Sequence, residues 1–288
     1  MGENSTPGAA LCDPAYIREI LGRNGFRFSR AYGQNFLTDP HIPEAIAEQA
    51  GLGPSHGVLE VGPGLGALTW ALARRAGRVA AVEVDNTLLP VLAETLAGLD
   101  NVTVVPGDIL KTDLAALVEA HFPGLTPVVC ANLPYNITAP ALSRLLESGL
   151  FESLTVMLQR EVAQRLLARP GTPAYGAFTV YVGTKAGAEI LFDVPPHCFT
   201  PRPKVTSSVV KLTARPYPLR APALFSRVVR AAFGQRRKTL LNALTAAFPV
   251  PKQALAAALA DCGIPPLARG ETLDIATFDA LSARLGAL

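Results

Sequence analysis

Between Asp193 and Asp261 the chain has no acidic residue at all. The same stretch holds eleven basic ones: Arg202, Lys204, Lys211, Arg215, Arg220, Arg227, Arg230, Arg236, Arg237, Lys238 and Lys252. The remainder carries 15 basic against 23 acidic residues, so a net charge of only +3 conceals a cationic block joined to an anionic body. That asymmetry points to a polyanion, nucleic acid above all, met by one face.

Cysteine is nearly as scarce. Cys12, Cys130, Cys198 and Cys262 lie far apart, without a CxxC pair or a neighbouring His set. This excludes a disulfide framework and a zinc site, and free thiols suit a cytoplasmic protein. The four histidines are too scattered for catalysis, and no metal is expected. No apolar run approaches the ~18 residues of a membrane span. Met1 to Tyr16 lacks the basic start and apolar stretch of a secretory signal. Met1 to Thr6 formally fits a myristoylation pattern, but nothing else in the chain suggests a membrane. With 49% apolar and 17% charged residues, wholesale disorder is also excluded. A length of 288 residues allows about two domains.

Residues 1–25 are polar and dotted with Gly and Pro, and they predict a mobile extension. From residue 57 onward short apolar runs alternate with helical patterns. Strands are predicted at 57–61, 78–84, 102–105, 127–131, 154–158, 189–194 and 206–212. Helices are predicted at 43–51, 67–76, 87–96, 114–121, 139–148, 161–168 and 175–184. The alternation predicts an α/β fold, a doubly wound and mostly parallel seven-stranded sheet. The loop from Pro195 to Pro203 is too short for a helical crossover, so the last two strands should form an antiparallel pair at one edge. After residue 216 only helical patterns remain, at 225–233, 236–248, 252–262 and 275–285. The expected organisation is therefore an α/β domain over 26–216 and a small all-helical domain over 217–288.

The first strand runs into Glu60-Val61-Gly62-Pro63-Gly64-Leu65-Gly66-Ala67 and then a helix that carries Trp70, read as a core residue. Gly62 and Gly64 let the backbone turn tightly and let a ligand approach without meeting a Cβ. The helix start would offer N–H groups to an anion. Twenty-one residues after Gly62, Glu83 ends the second strand, where a carboxylate can accept from both ribose hydroxyls. Asp108, after the third strand, adds another acceptor at the same sheet edge. A nucleoside cofactor follows. NAD and S-adenosylmethionine both satisfy the loop, since Gly62, Gly64 and Ala67 also match the dinucleotide pattern.

What separates them follows the fourth strand: Asn132-Leu133-Pro134-Tyr135. The lone pair of an adenine amino group is delocalised into its ring, so accepting a methyl requires pyramidalisation. The Asn132 side-chain carbonyl and the Leu133 main-chain carbonyl could accept its two hydrogens, with Pro134 stiffening the turn. Tyr135 supplies a face for stacking an extruded base. An NAD oxidoreductase has no use for this set.

These pieces resemble the small-subunit ribosomal RNA adenine N6,N6-dimethyltransferases. The resemblance covers about residues 27 to 285 and rests on six motifs in order. They are Gly33–Leu37, Glu60–Gly66, the Asn132 loop, Gln159–Ala163, Val194–Ser207 and Phe233–Leu240. It implies S-adenosylmethionine as cofactor, lined by Asn35, Leu37, Gly62, Glu83, Asp108 and Asn132. It implies that Phe199 stacks on the target adenine opposite Tyr135, its ring held out of the core by Pro195, Pro196, Pro201 and Pro203. The implied substrate is two adjacent adenosines in the 3′-terminal hairpin of 16S ribosomal RNA, within an assembling small subunit, for a protein acting as a monomer. Arg202, Lys204, Arg236, Arg237 and Lys238 are the expected RNA contacts. The last three fall near a helix start, where cations oppose the helix dipole. Two departures stand out: residues 1–25 have no family counterpart, and Leu241 stands where the family often has Arg.

Three rivals remain. A large-subunit RNA adenine methyltransferase of the antibiotic-resistance type fits Pro195–Ser207 and Arg236–Leu240 less well. An NAD oxidoreductase leaves the Asn132 loop and the cationic block unexplained. A purely structural assembly factor would not need Asn132.

Overall fold

The computed structural model describes residues 7–26 and 33–288; the myristoylation-like pattern and residues 27–32 lie outside the described residues. The chain divides into two compact units. One is Met1–Ala163 with Glu189–Ala214, and the other is Gln164–Ala188 with Arg215–Leu288.

The first unit opens with α1 (Pro7–Ala10) and α2 (Pro14–Arg23), then β1 (Phe36–Leu37) and α3 (His41–Gln49). The alternation follows: β2 (His56–Val61), α4 (Ala67–Ala73), β3 (Arg78–Glu83), α5 (Leu89–Thr95), β4 (Val102–Pro106), α6 (Leu114–His121), β5 (Thr126–Asn132), α7 (Thr138–Ser148), β6 (Ser153–Gln159) and α8 (Arg160–Leu166). After α9 (Ala177–Gly183) come β7 (Ala186–Val194), β8 (Phe199–Thr200) and β9 (Ser207–Ala214). The seven-stranded sheet has the order β4-β3-β2-β5-β6-β9-β7. Neighbours from β4 to β6 run parallel, and β9 runs antiparallel to β6. All seven predicted strands are present. The last two are neighbours at one end of the sheet, with β9 inserted between β6 and β7.

Strands buried on both faces are continuous apolar runs, and Val58, Leu59, Val79, Ala80, Val128 and Val129 are all buried. One layer packs Val58, Val79, Val128, Cys130 and Met157 against Ile46 and Ala47 of α3 and Leu68 and Leu72 of α4.

The described part of the N-terminal segment, where a mobile extension was expected, forms helices with buried side chains. Asp13 caps α2, accepting from the N–H of Ala15 and Tyr16, and Pro14 occupies the first helical position, where its missing N–H costs nothing. Ile17, Ile20 and Leu21 form an i, i+3, i+4 stripe buried with Phe36, Leu65, Leu88 and Leu92. Burial of that stripe offsets the poor helix composition of the segment.

In the second unit, α10 (Pro222–Gly234), α11 (Leu240–Ala247), α12 (Lys252–Asp261) and α13 (Ile275–Gly286) enclose a separate core. Phe225, Val228 and Val229 meet Leu244, Leu255, Phe278 and Leu281 there. Tyr175 and Val180 join the same core, so residues 164–188 belong with the helices and not with the α/β domain in which they were expected. The Tyr175 ring stands edge-on to Phe233 at 5.8 Å, and its hydroxyl donates to the Leu273 carbonyl at 2.8 Å. The helix predicted from residue 236 begins at Leu240, capped by Thr239, which leaves Arg236, Arg237 and Lys238 in the preceding turn.

Candidate active site

The carboxyl ends of β2, β3, β4 and β5 open onto one cleft of the first unit. Gly62 (φ 68°) and Gly64 (φ 61°) hold left-handed conformations that L side chains rarely adopt. A Cβ on Gly64 would come within 3.2 Å of the Phe36 ring. The helix that follows, α4, has only seven residues.

Glu83, buried at the end of β3, accepts from the Asp85 N–H at 2.8 Å. Burial pushes its carboxyl above the usual range, and the N–H groups of Asp85 and Gly64 oppose that push. Asp85 in turn accepts from Gln34 Nε2 at 2.7 Å and from the Thr87 hydroxyl at 2.6 Å. The Gly33–Asn35 segment is thereby tied to the acidic end of β3. Asp108 follows β4, its Oδ1 taking the Leu110 N–H at 2.9 Å.

On the other side, Asn132 Nδ2 lies 3.4 Å from the Asn35 carbonyl oxygen. Leu133 donates its N–H to the Met157 carbonyl, and the Pro134 carbonyl accepts from the Ile137 N–H and the Thr138 hydroxyl. These bonds set the turn. The half-buried Tyr135 shares a 2.7 Å hydrogen bond with Ser207 of β9.

Asn35, Leu37, Gly62, Gly64, Glu83, Asp108 and Asn132 therefore line one cleft, together with Leu133, Pro134 and Tyr135. Phe199 does not. It is 4% exposed and belongs to the apolar layer with Leu37, Val194 and Cys198. Its expected outward ring is corrected by a pairing that the sequence did not reveal: β8 runs antiparallel to β1, with Leu37 opposite Phe199. That short ladder fixes the prolines' loop with its ring turned inward.

Two lining residues escaped sequence reasoning. Leu11, from the segment read as mobile, is buried in the cleft wall. Glu60 is 1% exposed, and its Oε2 lacks a hydrogen-bond partner among the described residues. The signal for Glu60 was present, namely an acid inside the otherwise apolar strand His56–Val61.

The expected RNA contacts divide. Arg202 and Lys204 are exposed in the loop between β8 and β9, and Arg237 and Lys238 are exposed in the turn before α11. None of these four has an ion pair among the described residues. Arg236 is different. Its guanidinium donates to the carbonyls of Pro173 (3.2 Å) and Tyr175 (3.1 Å) and pairs with Glu271 at 3.3 Å. It holds its own unit together, which corrects the expectation of three equivalent cations. Among the described residues there is no cluster of three metal-ligating side chains, and no helix is long and apolar enough to cross a membrane.

A family model described as ribosomal RNA adenine dimethylase matches residues 25–279. The chain belongs to the ribosomal RNA adenine dimethylase family. Among the dimethylase relatives, a protein of Geobacillus thermodenitrificans (strain NG80-2) named ribosomal RNA small subunit methyltransferase A is 45% identical over 283 residues, covering 96% of this chain and 97% of that one. A Lactiplantibacillus plantarum protein of the same name is also 45% identical over 283 residues, with 96% of each chain covered. Among solved structures, a dimethyladenosine transferase from Plasmodium falciparum superposes with a TM-score of 0.71 at 27% identity, covering 85% of this chain and 95% of that one. The 23S rRNA methyltransferase ErmE superposes at 0.67 with 30% identity, covering 87% and 99%. Both likenesses fit the mostly parallel sheet described above.

Proposed function

We propose that this dimethylase transfers methyl groups from S-adenosylmethionine to N6 of two adjacent adenosines in the 3′-terminal hairpin of 16S ribosomal RNA. The products are dimethyladenosines, made in the cytoplasm by a monomer acting on an assembling small subunit. The observation that carries the reading is the meeting of Glu83 and Asn132 in one cleft: an acceptor for a ribose diol faces an acceptor for an amino group.

The residues present suit the cofactor. Gly62 and Gly64 leave room for close backbone approach, Glu83 and Asp108 offer carboxylates to a nucleoside, and Asn35 and Leu37 close the opposite wall. S-adenosylmethionine, when bound, supplies an electrophilic methyl group. The chain's own part is orientation and electrostatics. Asn132 Oδ1 and the Leu133 carbonyl accept the two amino hydrogens and favour a pyramidal nitrogen. Tyr135, steadied by Ser207, offers its ring to the base. Water can take the proton after transfer, so no general base is required. RNA would be held through Arg202, Lys204, Arg237 and Lys238.

The 23S-specific reading is weaker, because identity to the small-subunit enzymes is 45% against 30% to ErmE. Mass spectrometry of small-subunit RNA from cells with and without the protein tests the proposal. Two adjacent dimethyladenosines lost with the protein and restored by it are expected, and unchanged RNA overturns the reading.

A further inference from the structure

Outside the cleft, one apolar side chain stands in water where folding alone gives no reason for it. Among the described residues no large apolar side chain is more exposed than Leu267, at 82%. It lies at the tip of the loop between α12 and α13, in the second unit. The loop is anchored at both ends, because Ile264 and Leu273 are buried in the helical core. Pro265 and Pro266 fix two backbone angles just before the tip. Ala268 then donates its N–H to the Pro265 carbonyl at 2.9 Å, and its own carbonyl accepts from the Leu240 N–H at 2.7 Å. The tip is thus tied to the start of α11, with Leu267 held out from the core.

The same bond sets the charge beside the tip. Lys238 and Arg237 come two and three residues before Leu240, and Arg269 follows Ala268 directly. All three are exposed, and none has an ion pair among the described residues. The acids nearest to Leu267 in sequence, Asp261 and Glu271, are already paired with Arg284 and Arg236. An apolar tip beside unpaired cations suits a polyanion that also presents apolar surface. Duplex RNA does so, since its wide, shallow minor groove displays ribose and base edges between two rows of phosphates. A protein surface fits less well, because one leucine is a small part of the roughly 1,200–2,000 Å² that a stable protein interface buries. We propose that Leu267 packs into the minor groove of an RNA helix while Arg237, Lys238 and Arg269 hold the flanking phosphates. This rests on the RNA reading above and adds an apolar component to it. Apolar burial contributes alike at every ionic strength in the range of such measurements, whereas each phosphate contact releases counterions and weakens with salt. The two kinds of residue therefore leave different signatures.

The test is affinity across a salt series, measured on the whole protein with two probes. One is small-subunit RNA, and the other is an RNA duplex of about 16 base pairs, enough to present two successive minor grooves. Leu267→Ser should weaken binding to both by roughly tenfold, or ~1.4 kcal/mol, at every salt concentration, with the log–log slope unchanged. Leu267→Met keeps an apolar tip and should bind like the parent. Arg269→Ala should instead flatten the slope by about 0.7–0.9. All three variants should melt with the parent, and one strand of the duplex alone should bind the parent and Leu267→Ser equally. Parent-like binding of both probes by Leu267→Ser overturns the proposal and leaves the RNA reading intact. A lowered melting temperature for Leu267→Ser also overturns it, by making the residue a packing one. So does a loss of self-association in sedimentation without loss of RNA affinity, which would make the tip a contact between copies. Failure of the parent to bind small-subunit RNA overturns the RNA reading as well.

Discussion

Asn132 points its amide Nδ2 at the Asn35 main-chain carbonyl, 3.4 Å away, and this polarity decides what the residue can do. With its N–H side committed to Asn35, the carbonyl oxygen is the end available to a substrate amino group. Asn132→Ala should therefore slow methyl transfer by ~10²–10³, the scale of removing one oriented polar group from a transition state. RNA affinity should change little, because the acceptor matters most as the nitrogen pyramidalises. Asn132→Asp keeps acceptor oxygens but sets a carboxylate against the Asn35 carbonyl, and it should be slow as well. Single-turnover kinetics check both, and a parent-like rate for Asn132→Ala would remove the proposed role.

Glu83 stands at the opposite wall with its carboxylate already aligned by the Asp85 N–H. Its alignment costs the ligand nothing. Hydrogen bonds to a charged group contribute about 1.5–3 kcal/mol, so Glu83→Ala should weaken cofactor binding by roughly ten- to a hundredfold. Calorimetry on the folded variant measures this directly.

Phe199 separates a packing role from a stacking role. Buried beside Leu37 and Cys198, it should behave as a core side chain, and Phe199→Ala should cost ~3–5 kcal/mol of stability. A ring held out for a base would cost far less when truncated. Denaturant unfolding distinguishes the two.

These residues also show where sequence reading reached and where it stopped. All seven strands of the large sheet were legible, and the central parallel ones, β2, β3, β5 and β6, most plainly, because buried strands are apolar runs, here of six or seven residues, with glycine or polar breaks between them. The cleft was legible too, since Glu83 and Asn132 end strands and Gly62 and Asp108 come just after them, so all four fall at the same sheet edge. What failed depended on partners distant in sequence. Phe199 turns inward only because two residues of β8 pair with two of β1, a ladder too short to leave a pattern. Residues 164–188 read as one more α/β crossover, and the burial of Tyr175 and Val180 among the helices, with Tyr175 bonding Leu273, shows which core they join. Arg236 looked like its neighbours until Pro173, Tyr175 and Glu271 were found around it.

Glu60 makes a prediction about stability that needs no ligand. Its ordinary value is 4.5 when exposed, and in the fold it lies at about 8. Between those values the folded state binds more protons than the unfolded one, so stability falls as pH rises. Below the lower value both states are protonated and the effect vanishes. Thermal midpoints of the parent relative to Glu60→Gln should therefore drop steadily from pH 5 to 8. A constant difference would mean that Glu60 is not held as a buried acid.

The cationic turn of the second unit gives the last prediction, and it now treats three adjacent residues unequally. Arg237 and Lys238 are exposed and unpaired among the described residues, whereas Arg236 is tied to two carbonyls and Glu271. Phosphate contacts release counterions, so each one lost should flatten the log–log dependence of RNA affinity on salt by about 0.7–0.9. Arg237→Ala/Lys238→Ala should show this flattening with an unchanged melting temperature. Arg236→Ala should do the reverse: the unit loses the part-buried hydrogen bond that a charged donor makes to the Tyr175 carbonyl, with its exposed bonds to Pro173 and Glu271, and stability falls by ~1–3 kcal/mol while the salt slope stays near the parent's. Cofactor affinity should be untouched in both, because the glycine loop belongs to the first unit. Affinity measured across a salt series, alongside thermal unfolding of the same variants, resolves the two roles. Equal slopes in the parent and in Arg237→Ala/Lys238→Ala would place the RNA away from this turn.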